Sequence, residues 1–147
     1  MKKARLAILS LALALSIGTA GVITAGATNH DAREADPPQT RLSYIMTTVT
    51  NISISGGQAS CTGSITGYYG TTTKVEITLY LERKLAASST WTTYASDPKQ
   101  TFNTFCGQYT MNKPVVSGYQ YRVRAEYVAY AGSAYEKLTG YSNVVTY

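Results

Sequence analysis

From Arg41 onward, apolar and polar residues alternate with a period of two. Leu42, Tyr44, Met46, Thr48, Thr50, Ile52 and Ile54 share one parity, against Arg41, Ser43, Thr47, Asn51 and Ser53. Gly56-Gly57 makes a turn, and Ala59, Cys61, Gly63 and Ile65 then resume the alternation against Gln58, Ser60, Thr62 and Ser64. Successive side chains of a strand point to opposite faces, so each run predicts one buried side and one wet side. The clearest run is Lys74 to Glu82, where Val75, Ile77, Leu79 and Leu81 oppose Lys74, Glu76, Thr78, Tyr80 and Glu82. At helical spacing these aliphatics would scatter around the axis. A second clear run is Tyr119 to Tyr130, and shorter candidates are Trp91 to Ala95, Thr101 to Tyr109 and Tyr135 to Val145.

Turn chemistry separates these runs: Gly67 and Gly70, Ser88-Ser89, Asp97-Pro98, Pro114 with Gly118, and Gly132-Ser133. No 3.6-residue period is sustained over the same span. About seven short strands in roughly 105 residues predict an all-β fold, a single antiparallel β-sandwich with two sheets over a shared core. A small closed barrel produces much the same alternation and stays as the rival.

The first 40 residues have a different texture. Lys2, Lys3 and Arg5 precede an apolar or small run from Leu6 to Ile17, and small residues lead to Ala25-Gly26-Ala27. This is the layout of a secretory signal peptide, with cleavage expected after Ala27. An uncleaved anchor would need about 20 apolar residues to span a bilayer, and this core is shorter. No Cys lies near the cut to carry a lipid. Thr28 to Thr40 is polar and broken by Pro37-Pro38, so 28–40 is expected to be a flexible tail. It holds His30, the only histidine, expected as a solvated residue. The domain is expected over 41–147, in a protein secreted to an extracellular location and not stably inserted in a membrane once the leader is cleaved.

Charge changes with that cut. The 147 residues carry 13 Lys and Arg against 8 Asp and Glu, a net +5. Losing the leader removes three cations and no acid, leaving ten basic against eight acidic residues, +2. Basicity is therefore no ground for a nucleic-acid partner. Catalysis is not expected either. With no histidine after the tail there is no Ser-His or Cys-His nucleophile, and phosphate loops and histidine metal motifs are absent. The acids Glu76, Glu82, Asp97, Glu126 and Glu136 include no evident catalytic pair, and at least three are placed on wet strand faces. No cofactor and no metal are expected.

Two segments carry a family resemblance. Gly118-Tyr119-Gln120-Tyr121-Arg122-Val123-Arg124-Ala125 resembles the penultimate strand of fibronectin type III domains, and Tyr141-Ser142-Asn143-Val144-Val145-Thr146 resembles their last. Tyr80 to Lys84, followed by Ser89 to Thr93, is similar to their third strand and its neighbour. The likeness implies an immunoglobulin-like sandwich with Tyr121 as a tyrosine corner, its hydroxyl bonded to nearby backbone. The second strand departs from the pattern, with Cys61 where a core Trp is expected. The layout with its leader also resembles small secreted β proteins of bacteria, which adds a location and no mechanism.

Two cysteines in an exported chain favour one disulfide, Cys61 to Cys106. Cys61 lies on the inward parity of the second strand, and Cys106 shares parity with Phe102 and Thr104. In an immunoglobulin-like layout the two strands are neighbours, and the Cα atoms would need to approach within about 4.4–6.8 Å. Two thiols lack the further ligands of a zinc site.

The 13 tyrosines are the remaining candidate chemistry. Tyr44, Tyr121 and Tyr127 fall on inward parity and are assigned to the core. Tyr80, Tyr130, Tyr68 and Tyr69 fall on outer faces or in turns. Exposed rings can stack on sugars or anchor a protein, and tyrosine is also a good strand former on half-buried surfaces. A contact surface, if present, would use Tyr80 with Tyr130, or the loop at Tyr68-Tyr69. The partner class is an extracellular glycan, cell-wall polymer or protein. Two other readings stand beside it: a self-assembling envelope protein that uses open sheet edges, and a secreted inhibitor or toxin.

Overall fold

A computed structural model describes residues 41–147; the expected leader (1–27) and tail (28–40), His30 included, lie outside the described residues. Among the described residues every regular element is a strand: β1 (Ile45–Ser55), β2 (Gln58–Gly67), β3 (Lys74–Leu85), β4 (Thr92–Ser96), β5 (Gln100–Phe102), β6 (Cys106–Pro114), β7 (Tyr119–Ala131), β8 (Ala134–Tyr141) and β9 (Val145–Thr146). They form two antiparallel sheets. One runs β1-β2-β6; the other runs β4-β3-β7-β8, with β5 also paired to β3 and β9 to β7. Both sheets keep distinct edges, so the fold is a sandwich and not a closed barrel.

The inner faces supply the core. Ile45, Ile52, Cys61, Ile65 and Met111 come from the three-stranded sheet, and Val75, Ile77, Leu79, Leu81, Tyr121, Val123 and Tyr127 from the other. Tyr127 has no exposed surface. Its hydroxyl donates to Val49 O at 2.7 Å and lies 2.8 Å from Thr50 Oγ1. The ring needs room, and glycines provide it. A Cβ on Gly63 would sit 2.8 Å from Leu79 Cδ2 and 3.0 Å from the Tyr127 hydroxyl. A Cβ on Gly140 would sit 2.6 Å from Thr50 Oγ1 and 3.1 Å from the Tyr127 ring. Tyr121 is equally enclosed; its hydroxyl donates to Val116 O at 2.8 Å and accepts from Val116 N at 3.1 Å.

Each open side of the sandwich is tied by a carboxylate. On one side Glu136 of β8 accepts from the backbone N–H of Ser43, Tyr44 and Ile45 at 2.9 to 3.1 Å, joining the two sheets across β1. Burial alone would raise the Glu136 pKa. The three backbone bonds outweigh it and hold the group below the usual carboxylate range. On the other side Asp97, in the β4–β5 connection, accepts from Lys113 and from the Tyr109 hydroxyl, both on β6. Those two bonds also hold Asp97 below its ordinary pKa.

Local chain chemistry explains where the strand pattern departs from a simple period-two count. β1 carries a register irregularity between Ile45 and Thr47. A one-residue slip moves every side chain to the opposite face. Ile45 is therefore buried and Met46, expected inside, is 55% exposed. The run expected as one strand from Thr101 to Tyr109 is two strands in different sheets, because the chain crosses between Phe102 and Cys106. The run from Tyr135 to Val145 divides into β8 and β9, which pair with successive parts of β7.

That crossover overturns the expected disulfide. Cys61 and Cys106 do lie on neighbouring strands, but Cys61 faces Met111 and Cys106 faces Thr66. Five residues of stagger separate them, about 17 Å of extended backbone, well beyond the reach of a bridge. An odd offset also puts them on opposite faces: Cys61 is buried, Cys106 is exposed, and both are free thiols. The parity count from Phe102 ran through a change of sheet and lost its meaning there.

Candidate functional site

The two outer faces are chemically unlike. The outer rows of the β1-β2-β6 sheet, read across register, are Val49-Ser64-Gln108, Asn51-Thr62-Thr110 and Ser53-Ser60-Asn112. No charged side chain belongs to these rows, and Thr62 and Thr110 hydroxyls bond to each other at 3.0 Å.

The outer face of the β4-β3-β7-β8 sheet is the opposite. Residues 41–147 contain nine Lys and Arg against five Asp and Glu. Six of those cations gather here: Lys74 and Lys84 of β3, Lys99, Arg122 and Arg124 of β7, and Lys137 of β8. Aromatic rings interleave with them. Lys74 Nζ lies 3.7 Å from the Tyr130 centroid and the Arg124 guanidinium 3.9 Å from that of Tyr80. The Arg122 guanidinium sits between two rings, 4.4 Å from Trp91 and 4.5 Å from Tyr141. Such contacts contribute about 0.5–1 kcal/mol at exposed positions.

Two of the three carboxylates on this face lie beneath that layer. The Glu82 side chain is 9% exposed, and its two oxygens accept from Arg122 Nε at 2.8 Å and Arg124 Nε at 2.9 Å. The Glu76 side chain is 7% exposed and meets Lys99, Lys74 and the Tyr130 hydroxyl. Glu76 and Glu82 therefore correct the expectation that the strand acids stand in water. Each oxygen finds a cation, which is what permits a charge to be buried at all. Burial would raise the Glu76 pKa, yet the bonds from Lys99, Tyr130 and Lys74 prevail and lower it. The bond to Glu76 in turn raises Tyr130 above its ordinary value. Glu126 remains half exposed, paired with Arg124.

The expected pairing of Tyr80 with Tyr130 does not form. Tyr80 stands opposite Arg124 and Tyr130 opposite Lys74, six positions apart along β3, or about 20 Å. Each belongs to its own cluster, with a cation stacked on its face. The accessible rings are their neighbours on β8. Tyr141, beside Arg124, is 54% exposed, and Tyr135, beside Tyr130, is 58% exposed. Trp91, Tyr135, Tyr141 and Arg122 were absent from the sequence candidates. Counting parity across the Gly132-Ser133 turn, where Ala131 pairs Ala134, places Tyr135 and Tyr141 on the outer face.

Tyr68 and Tyr69 lie apart from this face, in the β2–β3 loop. Tyr69 is 85% exposed and meets Phe105 edge-on at 5.3 Å. Tyr68 lines an open groove of about 430 Å³ with Arg41, Leu42, Ile45 and Met46. Among the described residues no group of three His, Cys, Asp or Glu side chains is placed to hold a metal ion.

No family model matches the sequence, and the search of curated proteins finds no relative. Among solved structures, the solution structure of R. palustris CsgH aligns over 63% of this chain and 87% of its own, at 17% identity and a TM-score of 0.37.

Proposed function

We propose that this chain is an exported, non-catalytic binding module of the fibronectin type III kind, which engages an extracellular glycan, cell-wall polymer or protein through the outer face of its β4-β3-β7-β8 sheet. One observation carries the reading: a single face collects six cations and five aromatic rings while two of its three carboxylates are buried. The face presents rings and cations to solvent, and Glu126 is its one carboxylate that stays half exposed. Rings supply contact area at low entropic cost and arginine supplies directed donors, the combination typical of recognition hot spots. The domain type is supported by strand order, with β1 and β2 in the same sheet as β6, and β3, β7 and β8 in the other. Export is supported by the charge and apolar layout of residues 1–27.

The test is binding of the full chain to cell-wall fractions, glycan arrays and secreted proteins, alongside Tyr141→Ala and Tyr135→Ala. Saturable binding that weakens in both variants supports the proposal. Binding unaffected by either change, or concentration-dependent multimers with no ligand, would favour the self-assembling reading and end this one.

A further inference from the structure

Arg122 is built differently from the other cations of the face. Its Nε is committed to Glu82, and its guanidinium carbon lies 4.4 Å from the Trp91 centroid and 4.5 Å from that of Tyr141. Among the described residues no group accepts from either Nη atom, so the outer fork of the guanidinium has no protein partner. Arg124, by contrast, uses Nε on Glu82 and Nη1 on Glu126. Lys84 Nζ also lies over the Trp91 ring, 5.4 Å from its centroid. A guanidinium anchored through Nε and packed against two rings has less rotamer freedom left to lose on binding. Its free fork matches the two oxygens of a carboxylate.

The same chemistry recurs along β8. Tyr135 stands six residues from Tyr141 on the same face, with Lys137 Nζ 5.2 Å from its ring and Lys74 stacked on its neighbour Tyr130. An accessible ring beside a cation is thus presented twice, about 20 Å apart, with Thr139 between. A ligand that satisfies both must repeat an acidic group and a flat, partly apolar ring face along an extended chain.

We propose that the ligand of this face is an acidic polysaccharide with carboxylated sugars, one carboxylate seated on the Arg122 fork and sugar faces laid on Tyr141 and Tyr135. The inference rests on the binding reading above and adds the chemical class. Positive charge selects an anionic polymer over a neutral one, and two separated ring sites select a repeating ring over a peptide backbone.

The experiment measures affinity of the full chain for polygalacturonate, for dextran as the neutral polysaccharide, and for polyglutamate as the acidic peptide. The variants are Arg122→Lys, which keeps the charge and loses the fork, and Tyr141→Ala, at a ring more than half exposed; thermal melting checks that each is folded. Polygalacturonate is expected to bind at least tenfold more tightly than either comparison polymer. Arg122→Lys is expected to cost about tenfold, the size of one charge-assisted hydrogen bond, and affinity is expected to fall as salt rises. Equal binding of dextran, or equal binding of polyglutamate with the same dependence on Arg122 and Tyr141, overturns the acidic-sugar assignment. Saturable binding to a cell-wall fraction that is lost in Tyr141→Ala, with none to polygalacturonate, overturns the assignment but keeps the binding face. Failure of every probe and fraction overturns both.

Discussion

Replacing Tyr127 by phenylalanine removes one oxygen from the middle of the sandwich and changes little else. That oxygen donates its only proton to Val49 O at 2.7 Å, so Thr50 Oγ1, at 2.8 Å, must be the donor in the second bond. Tyr127→Phe therefore deletes two hydrogen bonds and leaves a carbonyl and a hydroxyl in the part-buried gap between β1 and β7. At about 0.5–1.5 kcal/mol net for each bond, the expected loss is about 1–3 kcal/mol. Thr50→Val removes one of the two and is expected to cost about 0.5–1.5 kcal/mol. Because the two changes share a bond, the double variant should cost less than the sum, by about 0.5–1 kcal/mol. Urea denaturation followed by tyrosine fluorescence reads all three. At a slope of about 2 kcal/mol/M, a 2 kcal/mol loss lowers the midpoint by about 1 M with the slope unchanged. A midpoint shift in Tyr127→Phe worth under about 0.3 kcal/mol, or strict additivity in the cycle, would refute the claim that this bond pair ties β7 to β1.

Three further outcomes are expected. Cys106 should react with a thiol reagent in the native protein and Cys61 only on unfolding, since Cys61 is buried and its pKa is pushed up to about 12, first by burial and then by Asp97; native protein with no titratable thiol would contradict the register of β2 and β6. Stability should fall on acidification, because the folded pKa values of Glu136 and Asp97 lie below their ordinary 4.5 and 3.8. Their contribution is complete above about pH 5 and is lost as pH drops through the folded values. Urea midpoints at pH 7 and pH 3 check this, and Glu136→Gln should reduce the difference by about 1–2 kcal/mol. Gly63→Ala should destabilise by about 1–3 kcal/mol through overpacking against Leu79 and Tyr127, measured by the same denaturation; a neutral result would mean that the core has slack at this point.

Much of the fold was legible in the alternation, and the places where it was not share a cause. Val75 to Leu81 and Tyr121 to Tyr127 sit in central strands whose register is uninterrupted, so parity alone assigned their faces. Met46, Cys106 and the segment after Tyr141 lie beyond a bulge, a sheet crossover or a strand break, and parity does not pass through these. The candidate face was partly legible for the same reason. Tyr80 and Tyr130 stand on the uninterrupted strands β3 and β7. Tyr135 and Tyr141 required the pairing across a turn, and the burial of Glu76 and Glu82 required the geometry of Lys99, Arg122 and Arg124 around them. A carboxylate looks the same in a sequence whether it faces water or a pair of arginines.

The contrast between the neutral hydroxyl-bearing layer and the cationic, ring-bearing layer has an effect at long range. Charge concentrated on one broad side gives the described domain, residues 41–147, a dipole across its thickness. In the field of an anionic matrix it experiences a torque before any contact forms, so productive approaches outnumber random ones, and more so in dilute electrolyte. If the proposed face seats on such a matrix, the domain would leave an uncharged, hydrogen-bonding surface toward the medium. A layer of such molecules on an anionic matrix would replace its outward charge with hydroxyls and amides.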